Sequence, residues 1–229
     1  MTAYMPLMIS LLSVLAFLLL ASQLMMRFSY RCRMKEHYDY LSMFPFEGYQ
    51  IRSANGRHAI MLLILSVLSF AAAFMFPLFI KEAFAFVPGR DVMLAVFGGL
   101  LAVSIGILSL SDCYSMRRHL LTFIIMAILE MVTSIVVGFT FLDYKDTHGN
   151  VALAFAIAGF ALAAFGALVV LNPKLSDWAK LKKVGEGEAA TFVRPRPFLL
   201  PFTEWILIFV SYLLPILLVV GLYLVGLQA

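Results

Sequence analysis

Residues 119–142, HLLTFIIMAILEMVTSIVVGFTFL, decide the fold class of this chain. These twenty-four residues would extend about 36 Å as an α-helix, enough to cross a bilayer core of about 30 Å. Five more apolar runs of comparable length occupy residues 6–26, 58–80, 92–111, 151–171 and 203–227. Only helices and closed barrels can span lipid, and the chain has no series of short alternating strands. We therefore predict six transmembrane helices.

The composition excludes a soluble globular protein. Hydrophobic residues make up 63% of the chain and charged residues 13%, whereas soluble domains carry about 25% charged residues. We predict an all-α integral membrane protein with a single transmembrane domain that covers residues 1–229, and we expect it in the cell membrane, inner or plasma. The excess of basic residues does not indicate a nucleic-acid partner, because it lies in loops beside the membrane, where it matches anionic lipid headgroups.

The distribution of basic residues predicts the orientation. Fourteen of the seventeen Lys and Arg residues fall in the first, third and fifth loops, and basic loops stay in the cytoplasm. Both termini are therefore predicted to be non-cytoplasmic, with long cytoplasmic loops at residues 27–57 and 172–202. Cys32 and Cys113 then lie on the reducing side, where a disulfide is not expected.

The two long loops each contain a short segment with helical apolar spacing. We predict interfacial helices near residues 34–44 and 175–184, because each segment combines a narrow apolar face with basic flanks. The second segment supplies the residues that we expect to contact anionic lipid headgroups: Lys180, Lys182, Lys183 and Trp178.

A weak internal repeat suggests how the spans are arranged. Arg57-His58 opens the second span and Arg118-His119 the fourth, and the same offset of sixty-one residues places Gly98 on Gly159. A true repeat would make two helical hairpins, spans 2–3 and 4–5, the core, with spans 1 and 6 as flanking elements. The alternative is chance, since basic residues and glycines are common at these places in membrane helices.

Glu130 is the residue that most strongly suggests a functional site. It lies about 16 Å along its helix from His119, near the bilayer centre, where an ionisable side chain is costly. Thr133 and Ser134 follow three and four residues later and so share its helix face. This polar site is interpreted either as an ion or proton site in a transport pathway, or as a hydrogen-bonding contact between helices.

A second group of candidates lies at the cytoplasmic rim. His58, Asp112 and His119 all fall near predicted helix ends, and with Cys113 they could form a mixed metal-ligand set. Nothing in their spacing requires a metal, and Asp112 pairs more simply with a basic residue of its short loop. We therefore predict no metal site and no cofactor.

Three classes of function remain open. The first is a transport or permeation protein with Glu130 in the pathway. The second is a non-catalytic subunit or sensor of a larger membrane complex, which works through helix packing and the two long loops. The third, a lipid-modifying enzyme, would use the rim residues. We expect the partners to be the lipid bilayer and either further copies of this chain, as a homo-oligomer, or other membrane subunits.

Overall fold

In the residues that the structure describes, the chain forms six long helices. The computed structural model describes residues 4–35, 37–50, 54–84, 86–111, 115–184 and 191–226. The helices are α1 (Met5–Met34), α2 (Ala54–Phe84), α3 (Arg90–Leu110), α4 (Met116–Leu142), α5 (Lys145–Val170) and α6 (Leu199–Gly226). All six are long and apolar enough to cross a membrane, so the predicted multi-pass helical architecture is confirmed.

The helices are longer than the apolar runs from which we predicted them. α1 contains 30 residues and therefore extends about 45 Å, well beyond a hydrocarbon core of about 30 Å. Its last turn carries Arg31 and Arg33, which interact favourably with the negative end of the helix dipole. Lys35 then ends the helix in a left-handed conformation, with a φ of 58°. The start of the predicted loop 27–57 is thus helical.

The two predicted hairpins form. α2 packs along α3, and α4 packs along α5. Glycines make both contacts close, since a Cβ at Gly98 would collide with Phe74 of α2, and one at Gly159 would collide with the backbone of Gly138 in α4. These two glycines thus play similar roles at the predicted offset, but His58 is exposed and His119 is buried. The internal repeat stays a prediction.

α6 is central rather than flanking, which differs from the prediction. In its most apolar stretch 61% of the residues are buried within the bundle, compared with 28% for α5 and 22% for α1. The reason is that α6 contacts α1, α2, α4 and α5, so its apolar residues face other helices on several sides. α1 has the smallest buried share of the six helices.

The two predicted interfacial helices do not form. Beyond Met34 the described residues up to Phe46 form turns and irregular structure, and a 3₁₀ turn follows at Glu47–Gln50. The second segment has a 3₁₀ turn at Asp177–Ala179 and then strand β1 (Lys182–Val184), which pairs antiparallel with β2 (Thr191–Val193). Tertiary packing and strand pairing outweigh the helical spacing here.

Both long loops lie at one end of the bundle, which we call the loop end. The loop end comprises the last turns of α1, α3 and α5 and the first turns of α2, α4 and α6, together with the two loops. Residues 38–49 of the first loop fold inward at this end, and we call them the loop plug. Three of their aromatic side chains, Phe44, Phe46 and Tyr49, are buried.

Candidate functional site

The polar face predicted on α4 is present and completely buried. Glu130, Thr133 and Ser134 all have 0% exposure. Ser134 donates a hydrogen bond of 2.9 Å to Oε1 of Glu130. Thr133 donates to the carbonyl oxygen of Leu129 in its own helix at 2.6 Å, and the carbonyl oxygen of Phe97 in α3 lies 3.3 Å away. The three side chains therefore link to each other or to the backbone, and none of them reaches the surface of the bundle.

The second carboxyl oxygen of Glu130 has no hydrogen-bond partner in the described part of the chain. This Oε2 atom is buried and lies against Gly166 of α5, where a Cβ would collide with it. A buried oxygen that is left unpaired costs free energy. Glu130 thus occupies a space that exists only because residue 166 is glycine, and one of its oxygens can still accept a hydrogen bond or contact a cation.

A second buried acid, Glu204, forms the main polar contact at the loop end. Its Oε2 atom lies 2.8 Å from Nε2 of His119, and both side chains are 0% exposed. The other imidazole nitrogen of His119, Nδ1, lies 2.7 Å from the hydroxyl of Ser111. This Ser111–His119–Glu204 network connects the end of α3, the start of α4 and the first turns of α6.

The partners limit where the protons of this network can lie. The Ser111 hydroxyl lies 2.7 Å from both the carbonyl oxygen of Leu108 and His119 Nδ1, so it donates its one proton to the carbonyl and accepts from Nδ1–H, or it donates to Nδ1. Nε2 correspondingly accepts a hydrogen bond from a Glu204 carboxylic acid or donates one to a Glu204 carboxylate. In both cases one shared proton holds His119 and Glu204 together. Glu204 Oε1 has no partner among the described residues.

The loop plug covers this network. The Phe44 ring packs on the His119 ring at a centroid distance of 4.3 Å, and Phe44 is 0% exposed. Its backbone carbonyl accepts a hydrogen bond from the Tyr38 hydroxyl, and its backbone N–H donates to Glu47 at 3.2 Å. Phe198, at the entrance to α6, packs on Phe44 and donates its N–H to the carbonyl oxygen of Leu41 at 2.7 Å. Apolar packing thus excludes water from the network.

Ion pairs and hydrogen bonds tie the plug to other elements. Arg194 Nη1 lies 2.7 and 2.6 Å from the two carboxyl oxygens of Glu47. Tyr49 is hydrogen-bonded to Ser22 of α1, and burial raises the pKa of this tyrosine above its usual range. Burial also acts to raise the pKa of Asp39. The hydrogen bonds from Ser42 and the Leu41 N–H, with the charge of Arg196, lower it more strongly, so the net shift is downward.

The predicted rim group is only partly assembled. His58 is exposed at the start of α2, while His119 is buried and paired with Glu204. Asp112 and Cys113 lie outside the described residues. Within the residues that are described, no group of three or more His, Cys, Asp or Glu side chains could hold a metal ion.

Sequence reasoning passed over Glu204. The residue is the second of the predicted span 203–227, next to its predicted boundary, and the sequence analysis names only Glu130 as a buried acid. α6 begins at Leu199, however, which places Glu204 more than one turn inside the helix. The sequence does contain a signal for it. No Lys or Arg lies between Arg196 and the last residue of the sequence, so Glu204 has no basic residue next to it along the chain with which to pair.

The predicted headgroup residues divide into two kinds. Lys182 and Lys183 are exposed on β1. Lys180 is also exposed but pairs with Asp177 at 2.6 Å, and this hydrogen bond and the lysine charge lower the pKa of Asp177. Trp178 is partly buried and packs against the hydrophobic core. The lysines can therefore meet anionic headgroups, whereas the tryptophan contributes mainly to packing.

Three cavities lie on the outside of the bundle. The first, of about 280 Å³, runs between α1 and α6, and a second, of about 240 Å³, adjoins it beside Arg27. The third, of about 530 Å³, lies at the end of α5. Neither Glu130 nor His119 lines any of these three. The buried acids are thus separate from the clefts that face lipid.

The chain gives no significant match to any protein-family model, to any curated protein or to any solved structure.

Proposed function

We propose that the protein is a non-catalytic subunit or sensor of a larger membrane assembly. The observation that carries the proposal is the enclosed position of Glu130, which is 0% exposed, receives a hydrogen bond from Ser134 of its own helix and fits against Gly166 of α5. A transport site needs access from water, whereas an acid packed this tightly where α4 meets α5 suits a structural role.

The orientation proposed for this subunit places the loop end in the cytoplasm and both termini on the other side. The support is the charge asymmetry, since fourteen of seventeen basic residues fall in the loops of that end. The exposed Lys182 and Lys183 would then face the anionic headgroups of the inner leaflet of the cell membrane. We propose other membrane subunits, or further copies of the chain, as the protein partners.

Transport is the second candidate, and one observation favours it. Glu130 Oε2 and Glu204 Oε1 are both buried and unpartnered in the described part of the chain, and a proton or a cation could fill either position. The two acids are separated, however. Phe123, Met126 and Ala127 lie on α4 between His119 and Glu130, and all three are 0% exposed. These apolar side chains lie along the roughly 16 Å of α4 that separates His119 from Glu130, which disfavours a polar path along this helix.

A comparison of Glu130→Gln with Glu130→Leu tests the packing role. Gln keeps the shape and the ability to accept the hydrogen bond from Ser134, so the stability of the Gln variant should be close to that of the unmodified chain. Leu loses that hydrogen bond, leaves the buried Ser134 hydroxyl without its acceptor, and should destabilise the bundle by about 1 kcal/mol. The measurement is the free energy of unfolding of the full chain in mixed micelles. Full stability of the Leu variant would overturn the packing role.

The same variants test the transport alternative. The full chain is reconstituted into vesicles that contain a pH-sensitive dye, and proton flux is measured under an imposed potential. If the subunit proposal is correct, vesicles with and without the protein should leak protons at the same rate. A flux that requires the protein and disappears in Glu130→Gln would replace the subunit proposal with transport, because the amide cannot change its charge.

A size measurement tests the assembly itself. The tagged chain of 25.5 kDa is extracted from native membranes with a mild detergent, and the protein mass of the complex is measured by light scattering. The proposal expects a protein mass of at least twice that of the chain. A strictly monomeric protein at every detergent concentration would contradict it.

A further inference from the structure

The lipid-facing groove between α1 and α6 has one polar end. The groove is a cavity of about 280 Å³ whose lining is almost entirely apolar. On α1 it extends from Leu12 to Arg27, a length of about 22 Å along the helix. Leu12, Leu15, Leu19 and Ile216 belong to the apolar part, and Gln23 and Arg27 lie at the end nearest the loop end. Such a shape suits an amphiphile with one long apolar part.

The polar end offers a positive charge without a counter-ion. Arg27 forms no ion pair with any acid among the residues that the structure describes, and its Nε atom is buried without a hydrogen-bond partner. Its guanidinium instead lies over the Tyr40 ring, 4.4 Å from the centroid. A cation held in this way beside an apolar groove favours an anionic group, and a phosphate accepts hydrogen bonds from guanidinium N–H groups well.

Gln23 supplies a second polar group one turn deeper. It is four residues before Arg27, so both side chains share one face of α1. Gln23 is 8% exposed, and its Oε1 atom is buried without a partner in the described part of the chain. Since a side-chain amide can turn to present either its oxygen or its amino group, it can donate to an ester carbonyl that lies one turn below a phosphate.

The surroundings place this polar end at the depth of the lipid headgroups. Trp205 lines both the groove and the adjoining cavity beside Arg27, and its indole N–H donates to the carbonyl oxygen of Met43 at 3.2 Å. Tyr40 also lines that adjoining cavity. Trp and Tyr are enriched at the membrane interface, where one side of the ring is apolar and the other polar. Arg27, Tyr40 and Trp205 thus form an interfacial cluster above an apolar groove.

We propose that this groove is a binding site for one anionic phospholipid. Its phosphate contacts Arg27, an ester carbonyl contacts Gln23, and one acyl chain lies between α1 and α6. The site differs from the exposed lysines of β1, which meet headgroups but offer no place for a tail. The proposal does not depend on the protein being a subunit of a larger assembly.

The two tryptophans of the chain make a site-specific test available. In a Trp178→Phe background, Trp205 is the only tryptophan and lines the groove. The full chain is reconstituted into phosphatidylcholine bilayers. These bilayers contain increasing fractions of a lipid with brominated tails, which is phosphatidylglycerol in one series and phosphatidylcholine in the other. Bromine quenches indole fluorescence at contact. Brominated phosphatidylglycerol should reach half-maximal quenching at a mole fraction about fivefold lower, as expected for one basic residue at an anionic lipid.

Two matched pairs of variants assign the effect to the groove. Arg27→Gln should remove the preference for phosphatidylglycerol, while Arg31→Gln, which removes the same charge from an exposed position on α1, should retain it. Ala16→Phe fills the groove and should reduce quenching by both lipids. Val14→Phe, at a lipid-exposed position outside the groove, should not. If Arg27→Gln does not fold, the comparison of Ala16→Phe with Val14→Phe still tests whether a lipid tail lies in the groove.

Several results would overturn the proposal. Equal quenching by the two brominated lipids would mean that only the general lipid shell contacts Trp205. Absence of quenching would mean that a helix of another protein, or of a second copy, covers the groove. An unchanged response in Ala16→Phe would mean that no lipid tail lies between α1 and α6.

Discussion

His119 and Glu204 share a hydrogen bond of 2.8 Å in a part of the bundle that water does not reach, although 85 residues separate them in the chain. The contact joins α4 to α6 directly beneath the loop plug. A change to His119 leaves Glu204 buried and unpaired, and a change to Glu204 leaves His119 with only its hydrogen bond to Ser111.

We expect this pair to be strongly coupled. Glu204→Leu and His119→Leu should each destabilise the protein by about 3–5 kcal/mol, because each leaves a buried polar group without its partner. The double variant should cost less than the sum of the two, since neither group then remains unpaired. The free energy of unfolding of the three variants in mixed micelles measures the coupling. Strictly additive costs would show that the contact contributes nothing.

We predict that Gly166→Ala, the smallest enlargement of this side chain, destabilises the protein. A Cβ at this position would collide with Oε2 of Glu130, and such overpacking costs about 1–3 kcal/mol. Gly99→Ala is the control, because no atom lies within 4 Å of a Cβ built there. Thermal unfolding of the two variants should separate them clearly. If the collision is the cause, combining Gly166→Ala with Glu130→Ala should recover part of the loss.

The two arginines that approach the loop plug should differ in importance. Arg194 is 23% exposed and pairs with Glu47, which is 10% exposed, whereas the Arg196 side chain is 71% exposed beside Asp39. Arg194→Gln should therefore destabilise the protein by about 1.5–3 kcal/mol, and Arg196→Gln by less than about 1 kcal/mol. The free energies of unfolding of the two variants, measured under the same conditions, test this difference. Equal costs would contradict the role given to Glu47 in anchoring the plug.

The orientation can be tested independently of any function. With Cys32 and Cys113 replaced by Ser, single cysteines are introduced at Thr2, Lys182 and Gln228. A membrane-impermeant maleimide applied to intact cells should label the first and last positions, while Lys182→Cys should react only after the cells are permeabilised. Labelling of either terminus only from the cytoplasmic side would refute the proposed topology.

The sequence predicts those parts of this protein that depend on local pattern. Apolar run length is enough to find all six helices, because a membrane-spanning helix must satisfy its backbone internally and cover its surface with apolar side chains. The shared face of Glu130, Thr133 and Ser134 follows from helical periodicity alone. Both features are properties of a single helix, so no knowledge of its neighbours is required.

The features that were missed depend on contacts between distant segments. Glu204 pairs with His119 only because α6 is inserted among the other helices, and nothing in either local sequence indicates that approach. The segment near residues 34–44 has helical spacing, but Phe44 gains more from packing on His119 and Phe198 than a short helix would gain at the interface. Residues 182–184 likewise form a strand because a partner strand is available.

The central place of α6 has a consequence for biosynthesis. The ribosome completes this helix last, yet it is the most buried of the six. Until it enters the membrane, α2, α4 and α5 present to lipid the surfaces that later pack against it, and His119 has no Glu204 to pair with. Glu204 is synthesised 85 residues after His119, which takes about 4–17 s at ordinary translation rates. During that interval the nascent chain exposes to lipid surfaces that are buried in the folded bundle.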